Sequence, residues 1–127
     1  MGLFSRKKRD VAPADLPEEV PAVQDQAVIT HLRLSNDDFG TTEEREAVFA
    51  LEGRIARAAE RVGCFHDGNQ FGGGEVELFT YGPDADVLFG VIEESLRGFE
   101  VRPGSYAIKR YGPIEDPNVR EERVELV

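Results

Sequence analysis

A ferredoxin-like α+β sandwich, with an antiparallel sheet carrying two helices on one face, is the fold class this sequence predicts. Three observations carry that expectation. Glu75-Val76-Glu77-Leu78-Phe79-Thr80-Tyr81 alternates strictly between apolar and polar positions, as a strand with one buried face does. Apolar stripes at helical spacing precede and follow it. Taken in order the elements read β-α-β-β-α-β, which with right-handed crossovers places strands one and three in the middle of the sheet.

From Asp10 to Gln26 the sequence alternates Pro, Ala, Val and acids, with Pro13, Pro17 and Pro21 each removing a backbone donor, and residues 1–26 are expected to form a disordered tail ahead of a single domain over 27–127. The basic opening, Arg6-Lys7-Lys8-Arg9, follows an apolar part too short for a targeting signal. Ala27–Leu34 is the first strand, with Val28, Thr30, Leu32 and Leu34 on one face and Ile29, His31 and Arg33 on the other. Ser35–Gly40 is turn chemistry, and Thr41 with Glu44 forms a capping box at a helix start. In that helix Val48, Leu51, Ile55, Ala58, Ala59 and Val62 face inward, and Glu52, Arg54, Arg57, Glu60 and Arg61 are assigned to solvent. Gly63 ends it.

The second strand, about Cys64–Phe71, is interrupted by Gly68, which predicts a bulge or an edge position. In the third, Val76, Leu78 and Thr80 face the helices. A second helix runs from Pro83 or Asp84 to about Arg97, with Leu88, Val91, Ile92, Ser95 and Leu96 inward and Gly98 as terminator. Phe99–Arg102 and Tyr106–Tyr111, around the turn at Pro103-Gly104-Ser105, supply at least one further strand, and Arg123–Val127 is a candidate edge strand.

The 127 residues hold 15 Lys and Arg against 25 Asp and Glu, a net charge of −10. A field of that sign repels nucleic acid, whose binding is driven by counterion release to a basic surface. The single cysteine, Cys64, allows no internal disulfide and suits a reducing cytoplasm; its expected role is that of a small buried hydrophobe. No apolar run approaches the roughly 18 residues of a membrane span.

Gly72-Gly73-Gly74 resembles a phosphate loop only in composition: it leads into a strand, and both helix starts carry carboxylates that repel an anion. The expected role of the run is a hairpin turn or a place where another backbone packs closely. Asp67–Gly72 begins like an EF-hand loop, but Phe71 and Leu78 stand where ligands are required. A looser metal site from His66, Asp67 and Glu75 fails on adjacency, because neighbouring strand residues point to opposite faces. Neither a metal nor another cofactor is therefore expected. Cys64 and His66 share a strand face, yet no basic neighbour lowers the thiol pKa.

The string Asp67-Gly68-Asn69-Gln70-Phe71-Gly72-Gly73-Gly74-Glu75, followed by Tyr81-Gly82-Pro83-Asp84-Ala85-Asp86 and Leu88-Phe89, resembles a group of small bacterial domains to which no activity is attached. The resemblance implies a bacterial source and a cytoplasmic setting.

The open face of the sheet is the remaining candidate, with Ile29, His31, Arg33, Glu75, Glu77, Phe79, Tyr81, Lys109 and Tyr111 side by side and the hairpin residues Asp67 and Asn69 nearby. Mixed aromatic and charged surfaces of this kind typify interfaces. The functional expectation is a non-catalytic binding or regulatory module, of inhibitor or immunity-like type, whose partner is a protein or a second copy of the chain. The alternative is a small hydrolase or isomerase using Asp67, His66 or Glu75 as acid or base.

Overall fold

The computed structural model describes residues 24–113 and 115–127, so the tail expected over 1–26 lies outside the described residues up to position 23. From Gln24 onward the chain is tied to the fold: Gln24 donates to the Gly63 carbonyl, and the Gln26 side chain accepts from the Ala85 amide at 2.9 Å. Seven elements follow: β1 (Gln26–Arg33), α1 (Thr42–Arg61), β2 (Phe65–Gly72), β3 (Glu75–Gly82), α2 (Ala85–Ser95), β4 (Tyr106–Arg110) and β5 (Glu121–Glu125). The sheet has five strands in the order β2-β3-β1-β4-β5, every neighbouring pair antiparallel.

Local chemistry explains the boundaries. At the start of α1 the Thr41 hydroxyl accepts from the Glu44 amide while the Glu44 carboxylate accepts from the Thr41 amide, the reciprocal pair of a capping box. Asp84 caps α2 by accepting from the Asp86 and Val87 amides. That helix closes at Ser95, two residues before the expected Arg97. Phe99–Arg102 forms no strand; β4 alone occupies that region, and β5 begins two residues earlier than the alternation at Arg123–Val127 suggested.

The core lies between one face of the sheet and the two helices. Val28, Thr30 and Leu32 of β1, Val76, Leu78 and Thr80 of β3, and Ala107 of β4 are buried there, against Val48, Leu51, Ile55 and Ala59 of α1 and Leu88 and Ile92 of α2. Each of these side chains contributes about 1.5–3 kcal/mol when fully withdrawn from water, if it is a Val, Leu or Ile. The alternation in β1 and β3 thus sorts its residues as the sequence implies. In α1 the assignment is corrected at three places: Val62 is 46 % exposed, Glu52 turns toward the sheet, and the Arg54 guanidinium donates to the Ser95 carbonyl of α2.

Gly74 shows what the glycine run is for. Its φ is +83°, and a Cβ there would stand 3.1 Å from the Asn36 carbonyl oxygen and 3.2 Å from the Asp37 Cα. The Gly74 amide donates to the Asp38 carbonyl and its own carbonyl accepts from the Leu34 amide, so the 35–40 loop is laced to the hairpin turn.

Candidate functional site

The face of the sheet away from the helices can be drawn from the register. His31 stands opposite Glu77 on β3 and Tyr106 on β4; Ile29 stands opposite Phe79 and Ile108; and Arg33 stands opposite Glu75. Arg123 of β5 lies opposite Ile108, and Glu125 opposite Tyr106. Residues with the same parity share a face, so an apolar line, Phe79-Ile29-Ile108, crosses three strands on the uncovered side. Tyr81 and Phe65, paired across β2 and β3 with ring centroids 5.5 Å apart, extend it, and Phe65 is 42 % exposed. Burial, with the Asp67 carboxylate as a lesser cause, raises the Tyr81 phenol above its ordinary pKa, so it remains a neutral donor.

Next to the apolar line runs a stacked, charged one. The His31 ring lies 4.4 Å from the Tyr106 ring at an interplanar angle of 12°, and the Arg123 guanidinium sits 3.6 Å from the Tyr106 centroid. His31 Nδ1 is 3.1 Å from Glu75 Oε2 and 3.5 Å from Glu77 Oε2. Two carboxylates therefore converge on one ring nitrogen.

Lys109 and Tyr111 are not part of this face, which corrects their assignment to it. Lys109 stands opposite Val28, a core residue, and so points to the helix side. Its stem passes Phe89, with the ammonium 5.0 Å from that ring, and reaches Asp86 of α2 at 3.1 Å. The Tyr111 hydroxyl donates to Asp86 Oδ1 at 2.6 Å, and Glu122 Oε1 lies 3.0 Å from the same hydroxyl oxygen. The hydrogen bond to Asp86 is the main cause that raises the Tyr111 pKa, and the hydrogen bonds from Tyr111 first and Lys109 second hold the Asp86 carboxyl below its usual range. Ala107 is fully buried on the helix side of β4, whereas Lys109, nearer the end of the strand, leads its charge along an apolar stem to Asp86. Tyr106, Ile108, Arg110 and Arg123 occupy the uncovered face instead, and Arg110 pairs there with Glu121.

The residues offered for acid–base chemistry are not brought together. His66 stands opposite Thr80 and faces α1, Glu75 lies on the uncovered face, and Asp67 is the extra residue where the β2–β3 register shifts between His66 and Gly68. His66 has another partner, Glu52, whose Oε1 is 2.6 Å from Nε2. Asn69 donates to the other oxygen of that carboxylate, also at 2.6 Å. Cys64 is buried, and burial followed by the nearby Asp84 charge raises its thiol pKa, which keeps it protonated.

Sequence reasoning located His31, Arg33, Glu75, Glu77, Phe79 and Tyr81 on one face but missed Tyr106 and Arg123. The small residue at 107, between two large ones, is the signal that would have turned Tyr106 toward this face. Comparison of the chain with protein-family models, with curated proteins and with solved structures returns no match. Among the described residues, no helix is long and apolar enough to cross a membrane.

Proposed function

We propose that this chain is a binding module that acts through the uncovered face of its sheet, and that its first partner is a second copy of itself. The order β2-β3-β1-β4 with two helices on one side is read as a ferredoxin-like arrangement to which β5 has been added at one edge. The observation that carries the functional reading is the apolar line Phe79-Ile29-Ile108, extended by Tyr81 and the exposed Phe65, on the face that neither helix covers. Three strands of eight residues and two of five, at a spacing of about 4.8 Å and a rise of about 3.3 Å per residue, present roughly 540 Å² in projection. Side-chain relief brings that toward the ~800 Å² per partner of a standard interface.

On the uncovered face Arg110 pairs with Glu121, Arg123 with Glu125, and His31 with Glu75 and Glu77, so these charged groups have partners within the chain and the apolar line carries the contact. One patch meeting its own copy is the geometry of a twofold dimer. An edge-to-edge pairing is less favoured, because β5 is short and dense in charge and β2 is interrupted by its bulge. The net charge of −10 also suits a regulatory role against a basic protein, whose association it would accelerate.

Sedimentation velocity tests the reading. Wild-type chain is expected to pass from monomer to dimer between micromolar and near-millimolar concentration, with Phe79→Ser and Tyr81→Ser shifted toward monomer and Arg57→Ser, on the exposed side of α1, unchanged. A wild type that stays monomeric across that range, with no protein partner lost on Phe79→Ser, overturns it.

A further inference from the structure

We propose that His31, Glu75 and Glu77 form a binding site for a divalent transition-metal ion of the zinc class. The three donor atoms come from two central strands, with His31 and Glu77 directly opposite each other and Glu75 on the diagonal, all projecting from the same face. They lie within 4.8 Å of one another, and Nδ1 is 3.1 and 3.5 Å from the two carboxylate oxygens. Zinc binds imidazole nitrogen and carboxylate oxygen at about 2.0–2.2 Å in a tetrahedron, and two ligands of one such ion stand roughly 3.3–3.5 Å apart. The observed separations are of that size, so an ion needs only small rotations of the two glutamate side chains to be held.

Three further features fit. The three side chains are only partly exposed, 13 % for His31 and 28 % and 32 % for the glutamates, which limits competition by water. Tyr106 stacks on the imidazole at 4.4 Å and 12°, which restricts rotation of the ring plane. Arg33, which stands opposite Glu75 in the register, is directed to Asp37 at 3.9 Å. Two carboxylates against one imidazole leave a negative excess that a divalent cation neutralises, and a nitrogen ligand favours zinc-class ions over calcium or magnesium. Three protein ligands leave a fourth position open toward the uncovered face, for water or for a donor from a bound partner.

This inference does not depend on self-association, because it is read on dilute full-length chain. Titration with Co²⁺, followed by visible absorption, and with Zn²⁺, followed by calorimetry, is expected to show one saturable equivalent per chain near neutral pH. Affinity should fall at least tenfold in His31→Ala and in Glu77→Gln, stay unchanged in Glu60→Gln on α1, and weaken toward pH 5 as protons compete for the ligands. Glu77→Gln keeps the size of the side chain and carries the test if His31→Ala does not fold. Absence of saturable binding by the wild type, or wild-type affinity retained in Glu77→Gln and Glu75→Gln, overturns the proposal.

Discussion

His66 Nε2 lies 2.6 Å from Glu52 Oε1, and this contact joins the edge strand β2 to the middle of α1. A carboxylate only accepts, so Nε2 carries a proton, and Nδ1 lies 3.3 Å from the Thr80 hydroxyl. With side chains 6 % and 12 % exposed, both partners are largely withdrawn from water. Asn69, donating to the second Glu52 oxygen, completes the network.

Breaking this network is costly because it strands the surviving partners. His66→Ala leaves the Thr80 hydroxyl and the Glu52 carboxylate without their shared neighbour, and is expected to lower stability by about 1–3 kcal/mol in urea denaturation. Glu52→Gln, which retains an acceptor, should cost less than Glu52→Ala. Equal midpoints for wild type and His66→Ala would show that the contact contributes nothing.

Thr30 poses the opposite case. It is fully buried beneath the helices, and its hydroxyl has no hydrogen-bond partner among the described residues. Thr30→Val replaces that hydroxyl with a methyl of similar volume, and a gain of about 1 kcal/mol is expected from removing an unsatisfied buried polar group. A loss of stability on the same measurement would mean that the hydroxyl is satisfied in solution.

Gly74 tests the glycine run. Alanine at φ +83° is strained, and its Cβ meets the backbone of Asn36 and Asp37, which cannot move aside as a side chain can. Gly74→Ala is therefore expected to destabilise by about 1–3 kcal/mol, whereas Gly73→Ala, at φ +62° with nothing within 4 Å, carries only the conformational part. Thermal melts that rank the two in reverse would contradict the close approach.

Glu44 makes folding pH-dependent. The Thr41 amide first, then the hydroxyl and amide of Ser35 and the Arg102 charge, hold its carboxyl below the ordinary value of 4.5, against a desolvation cost. A carboxyl whose pKa is lower in the folded chain contributes stability that is complete above the unfolded value and is lost as pH falls through the folded one. Wild type should thus lose stability below about pH 4.5 more steeply than Glu44→Gln. Parallel curves for the two in acid would remove Glu44 from the account.

How much of this was legible in the chain depends on whether a feature is local. The capping box at Thr41 and Glu44, the bulge near Gly68 and the two-sided alternation of β1 and β3 are written within a few residues and could be read directly. The meeting of His31 with Glu75 and Glu77 needs the register between strands 44 residues apart, which periodicity does not supply. β4 was misread because five residues, Tyr106–Arg110, give too short an alternation to fix which parity faces inward, and a shift of one exchanges every side chain. Lys109 shows why composition misleads there: a charged residue lies on the core side because its stem is apolar and Asp86 receives its end. Glu52 was assigned to solvent for the same reason, its charge, when its partner lay in another element.

The central claim, that the uncovered face is the surface this chain uses, is tested most directly by nuclear magnetic resonance on dilution. Spectra recorded from near-millimolar to micromolar concentration should show shifts confined to Ile29, Phe79, Tyr81, Ile108 and their strand neighbours, with Arg57 and Glu60 on the outer side of α1 unmoved. Shifts that instead cluster on α1, or no concentration dependence together with no response of these residues to any protein partner, would contradict it.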